Sequence, residues 1–133
     1  MKRARRTIVA GLGALPFARA SAQDPSLVAA AVRARELRDE AARRGDQPYG
    51  AVVVRDGRIV GEGVSAVVMR DDPEAHAERV ALADVAARLG PDALRGAVLV
   101  GSSRACARCK DAARRAGIGR LWHGVPPIDD GPP

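Results

Sequence analysis

Aromatic residues are almost absent, since the 133-residue sequence has one Trp, one Tyr and one Phe. Cysteine is also scarce, with two in the chain, and no run of 18 or more apolar residues predicts a membrane-spanning helix. Positive charge is concentrated at the start: five of the six net positive charges precede position 20, which leaves residues 23–133 a formal net charge of +1. This balance does not support a basic groove for nucleic acid. The length predicts one domain with an aliphatic core.

The first 22 residues have the pattern of an export signal. A short basic stretch is followed by an apolar, small-residue run over 7–17, and Ala20-Ser21-Ala22 offers the small residues that a signal peptidase accepts. Arg5-Arg6 stands just before the apolar run and resembles a twin-arginine signal, although an ordinary secretory leader is the alternative. We therefore expect residues 1–22 to direct export to the periplasm by the twin-arginine route. The mature domain, residues 23–133, is expected to have its core over 25–124 and no membrane contact.

The remaining chain alternates between helical and strand patterns. Caps, turn residues and apolar spacing predict three helices and four strands. The predicted helices are 25–44, from Asp72-Pro73-Glu74 to Gly90, and 106–117, and the predicted strands are 51–54, 59–64, 97–100 and 121–123. No element is predicted in the proline-rich segment from Gly124 onward. This alternation indicates an α/β sandwich in which the later strands pair in parallel.

Three possible metal ligands stand near the predicted starts of two helices. Cys106 and Cys109 share one helix face near a terminus whose free N–H groups stabilise thiolates, and His76 lies in the first turns of another helix. Three protein ligands and one water are the composition of a catalytic zinc site. Glu78, two residues after His76, is the candidate to take a proton from water at such a site.

Helix geometry limits this interpretation. Residues two apart on an ideal helix point about 200° apart, so His76 and Glu78 serve one site only if the metal lies near the helix end. The cysteine pair alone also fits a structural disulfide or a thioredoxin-like redox pair.

The combined motifs extend over most of the mature chain. His-Ala-Glu follows Asp-Pro and, about thirty residues later, Cys-Ala-Arg-Cys follows a strand, in keeping with the spacing of zinc deaminases. The chain resembles the cytidine and deoxycytidylate deaminase superfamily, particularly the branch with guanine deaminase and tRNA adenosine deaminase. The residues that carry this resemblance are 48–54, 56–57, 61–63, 72–78, 106–109 and 118–124.

The resemblance implies a fold and a set of site residues. The fold is a three-layer α/β/α sandwich, cytidine deaminase-like, with a mixed sheet and a C-terminal end shorter than in many relatives. It implies His76, Cys106 and Cys109 as ligands of Zn²⁺ and Glu78 as the proton shuttle. It also implies substrate binding at Ser65, where family members often have an Asn with more donors and acceptors.

The expected function is hydrolytic deamination of a small nucleobase or nucleoside of guanine, cytosine or adenine type, with release of ammonia. The expected assembly is a homodimer, and tRNA is not expected as a partner because the mature charge is nearly balanced and aromatics are few. Arg104 and Ala105 stand where the family usually has Glu and Pro. The alternatives are therefore a catalytically weak or inactive zinc-binding protein and, further off, a redox protein.

Overall fold

The computed structural model describes residues 20–133, so most of the predicted export signal lies outside the described residues. The helices are α1 (Pro25–Arg43), α2 (Ala77–Leu89) and α3 (Ala107–Ala116), with a short 3₁₀ helix at Pro91–Leu94. The strands are β1 (Gly50–Arg55), β2 (Arg58–Val64), β3 (Val98–Gly101), β4 (Arg120–His123) and β5 (Ile128–Gly131). No helix within residues 20–133 combines the length and apolarity needed to cross a bilayer.

The five strands form one mixed sheet in the order β2-β1-β3-β4-β5. Strand β1 is antiparallel to both β2 and β3, whereas β3 and β4 form the expected parallel pair. Strand β5 returns antiparallel to β4. Because β1 and β3 run in opposite directions, the start of β1 and the end of β3 lie at the same edge of the sheet.

Two aliphatic cores confirm the three-layer architecture. Alternate residues of a strand face opposite sides of a sheet, so Val52 and Val54 pack against α1 while Ala51 and Val53 pack against α2 and α3. Small residues bring the layers close together. At Gly50, for example, an added Cβ would lie 2.3 Å from the Ala34 carbonyl oxygen in α1.

Local signals explain the start of α1. The Asp24 carboxylate accepts a hydrogen bond from the Ser26 backbone N–H at 2.9 Å, and Pro25 occupies the first helical position, as predicted. This helix covers one face of β1 with a row of buried alanines and leucines. Its short side chains let the helix lie close to the sheet, as the expected aliphatic core requires.

The prediction that α2 begins at Asp72 was wrong, because the helix begins at Ala77 with His76 as its N-cap. The Asp72 carboxylate accepts the Glu74 N–H at 2.9 Å, and its carbonyl accepts the Ala75 N–H at 3.1 Å. These bonds close a turn instead of a helix.

The prediction of no element after Gly124 was also wrong, because residues 128–131 form β5. An ion pair and a hydrogen-bond contact join β5 to β4: Arg120 contacts Asp129 at 2.8 Å, and His123 Nδ1 lies 2.7 Å from an Asp130 oxygen. The proline-rich composition of this segment does not predict a strand, because β5 is held by contacts with residues of β4.

Candidate functional site

The beginnings of α2 and α3 meet at one edge of the sheet, and each carries potential metal ligands. His76 is the N-cap of α2 and has an extended backbone conformation, with φ of −63° and ψ of 150°. Cys106 is the N-cap of α3 and is also extended, whereas Cys109 lies within the first turn of that helix and is fully buried. Because His76 precedes the helix, its side chain is not bound by the helical angle that separates it from Glu78.

The three ligand atoms converge. His76 Nδ1 lies 3.6 Å from Cys106 Sγ and 3.4 Å from Cys109 Sγ, and all three atoms lie within 4.8 Å of one another. In tetrahedral coordination, bonds of about 2.3 Å to sulfur and 2.0–2.1 Å to nitrogen place those two atoms about 3.6 Å apart. The donor set and its spacing therefore fit a zinc ion held by three protein ligands.

Glu78 lies beside this group. Its side chain is buried, with 7% of the residue exposed, and one carboxylate oxygen accepts a hydrogen bond from the Cys109 thiol at 3.6 Å. Burial raises the pKa of the Glu78 carboxyl above its ordinary value, although hydrogen bonds from its own backbone N–H and from Cys109 act in the opposite direction. The site thus holds a carboxyl group that favours its protonated form more than one in water would.

The environment of Cys109 disfavours the thiolate form unless a cation is close by. Burial, followed by the charge of Glu78, raises the pKa of the Cys109 thiol well above its ordinary value. A thiol that coordinates a metal ion is deprotonated, because the cation stabilises the thiolate and the proton leaves to solvent. A divalent cation between Cys109, Cys106 and His76 would therefore remove the cost of burying a thiolate there.

A cavity of about 580 Å³ opens onto the ligand group. This volume is typical of small-molecule sites, which range over about 300–1,000 Å³. Its lining combines the site residues with side chains from the loops before β1 and after β3: Gln47, Tyr49, His76, Glu78, Ser103, Arg104 and Cys106. The arrangement can hold a flat, polar molecule between an aromatic ring and the ligand group.

A glycine makes room for the carboxylate. Gly101 ends β3, and a Cβ there would lie 2.7 Å from the Ser103 carbonyl oxygen and 3.3 Å from Glu78 Oε1. The chain can therefore turn sharply after β3 and still leave the Glu78 side chain open to the cavity.

Ser65 is placed differently from the other predicted site residues. It is 1% exposed, and its hydroxyl donates a hydrogen bond to Asp46 at 3.0 Å. It is not among the residues that line the cavity. Substrate binding by Ser65 stays a prediction, whereas the structure gives its hydroxyl a partner within the fold.

Asp46 is a buried residue that the sequence analysis did not single out. Its carboxylate accepts hydrogen bonds from the backbone N–H groups of Gln47, Val68 and Met69 as well as from Ser65. Burial raises the pKa of the Asp46 carboxyl, but these hydrogen bonds outweigh it and hold the pKa below its ordinary value. Asp46 thereby ties the segment after β2 to the loop before β1.

Four cavity residues, Gln47, Tyr49, Ser103 and Arg104, were also not predicted as site residues. Each stands beside a strand terminus at the edge where α2 and α3 begin. Residues that follow the carboxyl ends of strands commonly form ligand sites in α/β sheets. That rule points to Ser103 and Arg104, and the antiparallel pairing of β1 with β3 brings Gln47 to the same edge.

Comparison with known proteins agrees with this geometry. Residues 23–125 match the family model described as "Cytidine and deoxycytidylate deaminase zinc-binding region". The chain is 41% identical over 103 residues to tRNA(Ile)-lysidine synthase of Deinococcus radiodurans. The aligned region covers 77% of this chain and 18% of that protein. It is 37% identical over 91 residues to tRNA-specific adenosine deaminase of Haemophilus influenzae, covering 68% of this chain and 53% of that protein.

The fold is similar to that of guanine deaminase from Bacillus subtilis. The crystal structure of that protein superposes with a TM-score of 0.66 at 32% sequence identity, covering 72% of this chain and 62% of the other. The chain thus spans about half the length, or less, of the relatives that it matches in sequence.

Proposed function

Because this chain belongs to the cytidine and deoxycytidylate deaminase family, we propose that it is a zinc-dependent hydrolase that removes an amino group from a small nucleobase or nucleoside. Water replaces the amino group on the ring carbon, the carbon–nitrogen bond breaks, and ammonia leaves. One observation carries the proposal. An imidazole nitrogen and two sulfurs converge at tetrahedral spacing beside a buried carboxylate, within a cavity of small-molecule size.

Each residue of the site has a part in this reaction. His76, Cys106 and Cys109 would hold the zinc ion, which when bound acts as a Lewis acid and makes water at its open position more acidic. The Glu78 carboxylate accepts a proton from water and delivers it to the departing nitrogen. Its burial excludes bulk water, so that the proton stays at the carboxylate oxygens between the two transfers.

The remaining cavity residues bind and orient the ring. The Tyr49 side chain, with 43% of the residue exposed, offers a face for stacking. Gln47 and Ser103 supply hydrogen-bond donors and acceptors for the edge of a base. Together they would keep the amino-bearing carbon near Glu78.

A small molecule is favoured over tRNA as the substrate. Residues 23–133 have a formal net charge of +1, and the described part of the chain has few aromatic side chains on which splayed bases could stack. The relatives include tRNA-specific adenosine deaminases as well as guanine deaminase, so a tRNA substrate belongs in the assay.

The test has a metal arm and a catalytic arm. Purified protein is expected to contain about one zinc per chain and to lose it in Cys109→Ser. Zinc-loaded protein is then assayed for ammonia release from guanine, adenine, cytosine, their nucleosides and a tRNA. Glu78→Gln is expected to retain zinc and to lose at least about 10²-fold in kcat, the scale of general acid–base catalysis.

A matched control makes the same chemical change elsewhere. Glu36→Gln alters a carboxylate that is exposed on α1 and pairs with Arg33, and it should leave activity unchanged. Retained zinc with no ammonia from any substrate would exclude the enzyme and leave a zinc-binding protein. A Cys106–Cys109 disulfide without bound zinc would instead support the redox alternative.

A further inference from the structure

A smaller cavity adjoins Glu78, and we call it the inner cavity. Its volume is about 10 Å³, which admits one molecule of the size of water. Glu78 and Ser103 line both the inner cavity and the main cavity of about 580 Å³, so the two spaces meet at these residues. A molecule formed at Glu78 therefore has a small space beside it within the protein.

The inner cavity also adjoins a pocket at the protein surface. Ala105, Leu121 and Asp130 line both of these spaces. The surface pocket has a volume of about 200 Å³ and is flanked by Arg104 and Lys110, which are exposed. Three adjoining spaces thus lead from the inner end of the main cavity to solvent on the β5 side of the sheet.

Carboxylates stand at both ends of the inner cavity. Glu78 Oε1 lies 3.3 Å from the Cβ position at Gly101, a residue that lines the inner cavity, whereas Glu78 Oε2 accepts the hydrogen bond from Cys109. Asp130 stands at the end that adjoins the surface pocket, and its side chain is 9% exposed. A small molecule with N–H groups would therefore meet hydrogen-bond acceptors along the inner cavity.

Asp130 is held in place by two neighbours. One carboxylate oxygen lies 2.7 Å from His123 Nδ1, and the other lies 3.5 Å from Arg104 Nε. A carboxylate has about four acceptor positions, so these two contacts leave capacity for a molecule in the inner cavity.

A base bound in the main cavity would obstruct the way out through its mouth. Gln47 and Tyr49 are exposed and mark the mouth, whereas Glu78 is buried at the inner end. In the proposed reaction the carbon–nitrogen bond breaks beside Glu78, so ammonia forms between the base and the buried carboxylate. Ammonia is similar in size to water, and the inner cavity can admit it although the base is far too large to enter.

We propose that the inner cavity receives the ammonia and passes it to the surface pocket, so that the two products leave the site by different routes. This inference rests on the proposed deaminase function. Ammonia donates hydrogen bonds to Glu78 and then to Asp130 as it crosses the inner cavity, and it takes up a proton from solvent outside. The deaminated base leaves through the mouth.

The kinetic test narrows the inner cavity at Ala105, which does not line the main cavity. Single-turnover measurements by rapid quench follow bond cleavage on the protein, whereas steady-state kcat also includes product release. Ala105→Val should leave the single-turnover rate unchanged and lower kcat about tenfold, because added methyl groups in a close-packed passage obstruct ammonia.

The size of the departing amine gives a second comparison. Substrates whose amino group carries one methyl group release methylamine, which is larger than ammonia. Ala105→Gly widens the inner cavity and should raise kcat for the methylated substrate relative to the unmethylated one. It should leave the ratio of their single-turnover rates unchanged.

Two further variants serve as controls, and zinc content is measured in each protein because Ala105 precedes Cys106. Leu121→Phe fills the inner cavity from β4, which carries none of the three ligands, and should give the same split between the two rates. It decides the question alone if Ala105→Val loses zinc. Ala112→Val adds the same methyl groups to another partly buried alanine of the same core, outside the inner cavity, and should change neither rate.

A crystal structure of zinc-loaded protein gives a readout that needs no turnover. One ordered solvent molecule is expected in the inner cavity, within hydrogen-bond distance of Glu78 and Asp130, and it should be absent from Ala105→Val. A dry inner cavity in the wild type would overturn the proposal, because the space would then be unsuited to a polar molecule.

The outcomes separate the two proposals. Ammonia release with a kcat that is unchanged in Ala105→Val and Leu121→Phe would overturn the separate route and leave the deaminase function standing. A single-turnover rate that falls as much as kcat would overturn the route as well, since the inner cavity would then serve the chemical step. If no substrate releases ammonia, the deaminase function fails and the separate route fails with it.

Discussion

Replacing Gly63 with alanine should disturb the candidate site from outside the cavity. Gly63 lies on β2, beneath the first turn of α2, and an added Cβ would stand 2.2 Å from the Ala77 carbonyl oxygen and 2.5 Å from the Ala81 nitrogen. Ordinary contacts begin near 3.4 Å, so the start of α2 would have to move by more than 1 Å. Both obstructing atoms belong to the backbone, and no side-chain rotation can relieve the contact. His76 and Glu78, which flank Ala77, would move with it.

The expected loss of stability in Gly63→Ala follows from overpacking of the contact between β2 and α2. An extra methyl group forced into a close-packed interface destabilises a protein by about 1–3 kcal/mol. For a domain of about 100 residues, each kcal/mol lowers Tm by about 4–8 °C. Displacement of His76 should also weaken zinc binding by about tenfold, a size known for changes in the groups that orient metal ligands. Melting followed by circular dichroism and competition with a chromophoric chelator measure the two effects.

Gly61 provides the matched comparison on the same strand. An alanine Cβ there would meet Val85 Cγ2 at 2.2 Å, whereas the nearest backbone atom, the Ala81 carbonyl oxygen, is 3.4 Å away. Val85→Ala should therefore relieve Gly61→Ala, so that the double variant is more stable than the sum of the two losses, and it should not relieve Gly63→Ala. Unchanged Tm and zinc affinity in Gly63→Ala would refute the close approach of α2 to β2.

Two further predictions concern ionised groups near the site. The pKa of Asp46 is lower in the folded protein than its ordinary value of 3.8, so its stabilising contribution is complete above that value and is lost as the pH falls through the folded pKa. Urea unfolding from pH 3 to 7 should show this acid loss in wild type and a flatter profile in Asp46→Asn; identical profiles would contradict the assignment. Separately, Glu74 joins the turn before α2 to Arg108 of α3. Glu74→Gln and Arg108→Gln should each weaken zinc binding by up to about fivefold, as expected for an exposed ion pair, and the double variant should lose no more than either. Strictly additive losses in chelator competition would argue against a pair that holds the two ligand-bearing segments together.

Elements with local causes were predictable from the sequence. The Asp24 cap, the Pro25 start and the spacing of apolar residues lie within α1 itself, so its prediction needed no knowledge of the rest of the fold. The same holds for α3, which begins after Cys106. The convergence of ligands on two helix starts followed from the alternation of strands and helices.

Features that depend on contacts with residues far along the chain were not predictable in the same way. Asp72-Pro73 carries a local helix-start signal, but the Ala75 carbonyl accepts a hydrogen bond from Ala66, which lies nine positions earlier and holds the segment in a turn. Strand β5 depends on partners in β4. Asp46 looked like an ordinary loop acid because three of its four hydrogen-bond donors come from residues about twenty positions later.

The location of Trp122 gives the molecule a built-in optical reporter. Trp122 is the single tryptophan of the chain, is 4% exposed, and contacts the aliphatic core on the α1 side of the sheet. Its indole N–H has no hydrogen-bond partner among the described residues. Emission excited at its absorption edge should therefore be blue-shifted in the folded protein and report on the packing between the sheet and α1. A fluorescence transition that precedes the loss of helical ellipticity would show that this layer detaches before the layer that carries α2 and α3.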